Sequence, residues 1–127
     1  MNARTSIVSL ALVLGCAVAF AQQAPFPAKP VRLVIPGAAG SGPDTLSRVL
    51  ASRLSENWKQ PVVPENIPGV GGNIGHERVA KAAADGHTLL IGMIGPMAIN
   101  PGLAPDKLGF DPAKDLAAVS LIARYPN

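Results

Sequence analysis

The stretch Val31-Arg32-Leu33-Val34-Ile35-Pro36-Gly37-Ala38-Ala39-Gly40-Ser41-Gly42-Pro43-Asp44 decides how this chain is read. Its first five residues are apolar and mostly β-branched apart from Arg32, the pattern of a strand buried on both faces in a parallel sheet. Pro36 stops the strand and a glycine-rich loop follows. Pro43 then suits the first turn of a helix, and Asp44 puts negative charge where the helix dipole favours it. Leu46, Val49, Leu50 and Leu54 recur at helical spacing, Arg48, Ser52, Arg53, Ser55 and Glu56 cover the other face, and Trp58 closes the apolar seam.

The same order recurs downstream. Residues 61–66 read as a short strand whose Pro64 lacks a backbone donor, which places it at or near a sheet edge. A second glycine loop, 67–72, leads into an alanine-rich helix over 73–84. After the Asp85-Gly86 turn, 88–93 reads as a third strand, 94–101 as a loop or single helical turn, and 117–124 as a fourth strand. Strand, helix, strand, helix, strand predicts an α/β fold, a parallel-sheet βαβαβ unit with right-handed crossovers.

In such sheets ligands sit beyond the carboxyl ends of the strands. The loops 37–44, 66–73 and 92–96 therefore share one edge. Helix N-termini carry unpaired N–H groups and a partial positive charge, and glycine lets that backbone approach a ligand closely. The candidate ligand-binding residues are Gly37, Ala38, Ala39, Gly40, Ser41, Gly42 and Asp44 from the first loop. Asn66, Gly71, Gly72 and Asn73 come from the second, and Gly92 and Gly95 from the third. Their expected role is to offer backbone donors to a carboxylate or phosphate, with Ser41 adding a hydroxyl. The alternative is that the glycines serve only tight βα turns.

Other chemistries find little support. Gly37 and Gly42 have P-loop spacing, but Pro43 and Asp44 follow where Lys and Ser or Thr are needed. Gly40-Ser41-Gly42-Pro43-Asp44-Thr45 lacks the last glycine of a dinucleotide fingerprint. Ser41 is not in a Gly-x-Ser-x-Gly elbow. The two histidines, His76 and His87, are read as solvated, and no His/carboxylate cluster has metal-ligand spacing. The sequence thus points to a non-catalytic protein with no metal and no cofactor; a nucleotide-dependent α/β enzyme is the remote alternative. Charge excludes a nucleic-acid partner too: the net +3 is scattered, and aromatics are 4% of 127 residues, too few for base stacking.

The first residues are read as a leader. Arg4 precedes an almost unbroken apolar run from Ile7 to Phe20, and Ala19-Phe20-Ala21 has the small-x-small form of a cleavage site. The run is short for a membrane span, which needs about 20 residues. Residues 1–21 are expected to be a signal peptide and 22–127 the mature protein, exported to the periplasm. Without the leader the net charge falls to +2 and the only cysteine, Cys16, is gone. Val13-Leu14-Gly15-Cys16 loosely resembles a lipobox, so lipid anchoring at Cys16 is the alternative.

Several of these blocks together resemble the Bug family, the extracytoplasmic solute-binding proteins of tripartite tricarboxylate transporters. They are Pro30-Val31-Arg32-Leu33-Val34-Ile35-Pro36, the glycine loop closing in Asp44, and Glu65-Asn66-Ile67-Pro68-Gly69-Val70-Gly71-Gly72-Asn73-Ile74-Gly75. Asp85-Gly86-His87-Thr88-Leu89-Leu90, Ile99-Asn100-Pro101 and Val119-Ser120-Leu121-Ile122-Ala123 follow in order. The resemblance implies a type II periplasmic-binding-protein fold of two lobes closing on a small carboxylate, which is passed to the transporter's membrane components. Two positions depart from the family pattern: Pro43 stands where Thr is usual, and Ile67 where a basic residue is usual. Family members also continue into a second lobe, so 22–127 is expected to be the first lobe, incomplete, with a truncated and non-functional fragment as the competing reading.

Overall fold

The computed structural model describes residues 25–124. The expected signal peptide and Cys16 lie outside the described residues. Three parallel strands form the centre: β1 (Val31–Ile35), β2 (Val62–Asn66) and β3 (Thr88–Leu90), in the order β2-β1-β3. Helix α1 (Gly42–Trp58) connects the first pair and α2 (Asn73–Ala80) the second. A five-residue π-helical turn (Gly95–Ile99) runs into the short α3 (Asn100–Leu103).

The apolar run of β1 makes it the central strand. Val31 pairs with Val62 on one side, and Arg32 with Thr88 on the other. Strand alternation sends Val31, Leu33 and Ile35 to one face, where Val31 and Leu33 pack with Ala51 of α1 and with Val62. Leu54, Trp58, Leu89 and Ile91 close over this core. Val34 and Arg32 face the opposite side, where α2 lies. Residues of the 31–35 strand are buried except Arg32, which reaches out to an ion pair with Glu65 of β2. The edge position expected for the proline-bearing β2 is observed, because Pro64 sits on a strand with one neighbour.

Helix α1 begins where expected, with Pro43 in its first turn, and ends at Lys59 in the left-handed region at φ 55°. Two expectations about strands need correction. The third strand is shorter than 88–93: it ends at Leu90, although the Ile91 amide still donates to the Val34 carbonyl at 2.9 Å. The segment 117–124 is not a strand; no described strand lies beside it, and Val119 is 85% exposed. An apolar, β-branched run becomes a strand only when a neighbour receives its backbone donors and acceptors.

Candidate functional site

Parallel pairing brings the carboxyl ends of all three strands to one edge of the sheet. The first loop leaves Ile35, the second leaves Asn66 and the third leaves Leu90, so the loops predicted to converge do so. Direct contacts knit them together. Gly72 of the second loop lies so close to the first and third that a side chain there would meet Pro36 Cβ and Met93 Sδ, both at 3.3 Å. Gly75, in the first turn of α2, abuts Pro36 even more tightly. Gly71 faces Gly95 across the gap, its carbonyl 4.0 Å from where a Gly95 side chain would begin.

The second loop is built on unusual backbone. Gly69, Val70, Gly71 and Gly72 all have positive φ, at 132°, 47°, 62° and 97°. Glycine adopts such angles at no steric cost, which accounts for three of the four. Val70 is β-branched, and its left-handed conformation is strained. It is also 71% exposed, at the rim of the site.

Asp44 lies in the first turn of α1, as the sequence suggests, and it also organises the first loop. It is 3% exposed and accepts from the Gly40 amide at 2.8 Å, from Arg48 Nε at 3.0 Å and from Asn66 Nδ2 at 2.9 Å. Arg48 foremost, then the Gly40 amide and Asn66, hold this carboxyl down at about 2. Asn66 also donates to the Gly37 carbonyl at 3.1 Å, and its own carbonyl accepts from Arg48 at 3.0 Å. The side chains of Asp44 and Asn66 are therefore committed to joining β2, the first loop and α1.

Several expected ligand donors are likewise occupied. The Gly40 amide serves Asp44, the Ser41 amide donates to the Ala38 carbonyl at 3.2 Å, and the Gly72 amide donates to the Gly69 carbonyl at 2.9 Å. Ser41 Oγ is buried without a partner, under Gly37. Among the described residues, the amides of Ala38 and Ala39 meet no protein acceptor, and both residues are exposed. Gly42 is exposed at the start of α1, with Gly71 and Gly92 exposed on the facing loops. Asn73 accepts from Asn100 Nδ2 at 2.8 Å, tying α2 to the segment after β3.

Neither histidine is solvated, contrary to the sequence reading. His76 is 0% exposed. Its Nδ1 lies 2.9 Å from the Gly72 carbonyl, and its Nε2 accepts from the Met93 amide at 3.1 Å. A carbonyl on one nitrogen and an N–H on the other fix the neutral tautomer with the proton on Nδ1. Burial pushes this imidazole below its ordinary value, partly opposed by the Gly72 carbonyl. His87 is largely covered too: Phe26 lies against it at 5.0 Å and its Nδ1 meets the Asp85 carbonyl at 3.0 Å. What the sequence hid at His76 was that its partners are backbone groups of two different loops. The signal that could have found it is its spacing, four residues after Gly72, at the start of a helix crowded by Gly72 and Gly75.

The sequence profile of the tripartite tricarboxylate transporter family receptors matches residues 46–127. This chain belongs to that family. The chain is 38% identical over 102 residues to the protein BugT of Bordetella pertussis, covering 80% of this chain and 31% of BugT. Two solved structures from Rhodopseudomonas palustris share the fold. Rpa4515 with adipate superposes with a TM-score of 0.65 at 43% identity, covering 69% of this chain and 29% of that one. MatC with bound malate does so with a TM-score of 0.65 at 40% identity, covering 71% and 30%. The chain thus spans about a third of the length of the curated relatives it matches, and its βαβαβ unit corresponds to one lobe of a periplasmic binding protein. The family consists of transport receptors, not enzymes. Among the described residues there is no cluster of metal-ligating side chains, and no helix is long and apolar enough to cross a membrane.

Proposed function

We propose that residues 22–127 form the first lobe of a periplasmic solute-binding protein for small organic acids, exported by a leader over residues 1–21. The observation that carries this reading is the convergence of three strand ends on one edge, where the exposed amides of Ala38 and Ala39 stand beside the N-terminus of α1. Unpaired N–H groups next to a helix N-terminus suit a carboxylate. Solved relatives that hold adipate and malate support the ligand class. Gly37, Ala38, Ala39, Gly42, Gly71 and Gly92 would line the site, with Gly95 beneath it. Gly40, Asp44, Asn66, Gly72 and Asn73 would act behind the lining by holding the loops in place. The ligand would be passed, chemically unchanged, to the membrane components of a tripartite transporter.

A titration of the purified chain with adipate, malate and citrate tests the reading. A ligand that binds only the folded state raises the melting temperature with concentration. A rise with at least one of these acids is expected, and none at millimolar concentration overturns carboxylate binding by this chain. Mass spectrometry of the exported product tests the leader: a start at Gln22 is expected, and a lipid-modified start at Cys16 overturns it.

A further inference from the structure

We propose that His76 is a positioning residue for the carboxylate site, holding the second and third loops at a fixed spacing only while its imidazole is neutral. This rests on the reading of the strand-end edge as a carboxylate site. One ring spans the two loops, donating from Nδ1 to Gly72 and accepting at Nε2 from Met93. Both partners are main-chain groups, so the ring sets the separation of the backbones themselves. Gly72 and Met93 also abut each other where any side chain on Gly72 would collide with the Met93 sulfur. A change in that separation is passed to Gly71, Gly92 and Gly95 on either side of the gap.

Protonation acts on one of the two bonds. An imidazolium has two donors and no acceptor, so the bond to the Gly72 carbonyl survives and the one from the Met93 amide is lost. The hydrogen bond that links the third loop to the second through the ring is then broken. The surroundings make the ring itself the group that titrates. The second loop (67–72) and residues 91–94 contain no ionisable side chain. On α2, Glu77 is paired with Lys81, while Arg78 forms no ion pair among the described residues. The Phe110 ring stacks on His76 at 6.1 Å, and the adjacent Asp111 is paired with Lys114. Burial is the main influence on the imidazole and favours its neutral form, so the loops stay tied at neutral pH and come apart only at a pH below the ordinary imidazole range.

The test follows the Met93 amide by NMR and adipate affinity by calorimetry, from pH 8 to pH 4, in the wild type and in His76→Gln. Glutamine can donate or accept but cannot titrate, so it separates the ring from the ligand's own carboxyl groups. In the wild type the Met93 amide signal is expected to move in a single titration with its midpoint below pH 6.5. Adipate affinity is expected to fall about tenfold more than in His76→Gln across the same step, the effect of one hydrogen bond. A Met93 signal that does not titrate overturns the inference even if the variant fails to fold. So does wild-type affinity whose pH dependence matches that of the variant. Absence of adipate binding by the wild type at every pH overturns the carboxylate reading, and this inference with it.

Discussion

Asn66, the last residue of β2, donates its side-chain amide to the Asp44 carboxylate in α1 at 2.9 Å, and the same amide reaches the Gly37 carbonyl at 3.1 Å. One side chain thus ties the end of an edge strand to the first loop and to the first turn of a helix. Asn66→Leu keeps the size and removes both bonds, together with the one that Asn66 accepts from Arg48. The variant is expected to lose about 1–2 kcal/mol of stability, because the Gly37 carbonyl is left without its partner. Urea unfolding followed by the fluorescence of Trp58, the only tryptophan, measures it. An unchanged midpoint would mean that the side-chain bonds of Asn66 contribute nothing to the fold.

Asp44 adds an acid limit to that stability. Its carboxyl is held at about 2 against an ordinary 3.8, chiefly by Arg48. Between those values the unfolded chain binds the proton more readily than the folded one. The stabilisation is therefore complete above pH 3.8 and is lost as pH falls through about 2. Asp85 behaves alike through Lys29. Asp44→Asn is expected to be less stable than the wild type at pH 7 and to lose less on acidification. Melting temperatures from pH 7 to pH 2 check this, and parallel curves for the two proteins would count against it.

Gly75→Ala addresses the contact between α2 and the first loop. The added methyl would stand 2.9 Å from the Ile67 carbonyl oxygen and 2.9 Å from Pro36 Cβ. Backbone atoms cannot rotate away, so the helix must shift. A loss of about 1–3 kcal/mol is expected, in the range of other overpacked sites. Gly42→Ala is the control, since nothing lies within 4 Å of its position. Equal stability of the two variants would refute the close approach.

Ser41→Ala separates structure from binding. The hydroxyl is buried and makes no hydrogen bond within the described residues. Its removal is expected to change stability by no more than about 0.5 kcal/mol, or to raise it slightly, since an unpaired polar group is taken out of the interior. Weaker adipate binding with unchanged stability would mark Ser41 as a ligand group that turns outward on binding. A stability loss above 1 kcal/mol would reveal an internal partner for the hydroxyl.

Legibility in the sequence followed the range of the interactions. The strand at 31–35, the start of α1 at Pro43 and the two glycine loops depend on neighbours within a few residues, and the structure has them where the pattern puts them. The convergence of the loops followed from strand order alone. The second partner of His76, the Met93 amide, and both partners of Asn66, the Asp44 carboxylate and the Gly37 carbonyl, lie many residues away, which no local pattern encodes. The segment 117–124 fails for the same reason: its composition suits a strand, but pairing belongs to the neighbour as much as to the segment. The pair of Asp44 and Arg48, one helical turn apart, is not read from the sequence, where Asp44 is assigned to the helix dipole and Arg48 to the polar face; the structure joins them as a clamp on the first turn of α1.

The place of β1 at the middle of the sheet has a consequence for how the chain folds. Both of its partners, β2 and β3, are later in the sequence, and neither touches the other. Among the described residues no hairpin or other short-range pairing starts the sheet, so loop closure across whole helices must come first, which slows folding. Among the described strands, the most apolar is the earliest in the chain; it has no mate until residue 62 is available, and no second one until residue 88. Until then the main-chain donors and acceptors of β1 have no strand to meet, so the sheet closes only after both connecting helices have been made.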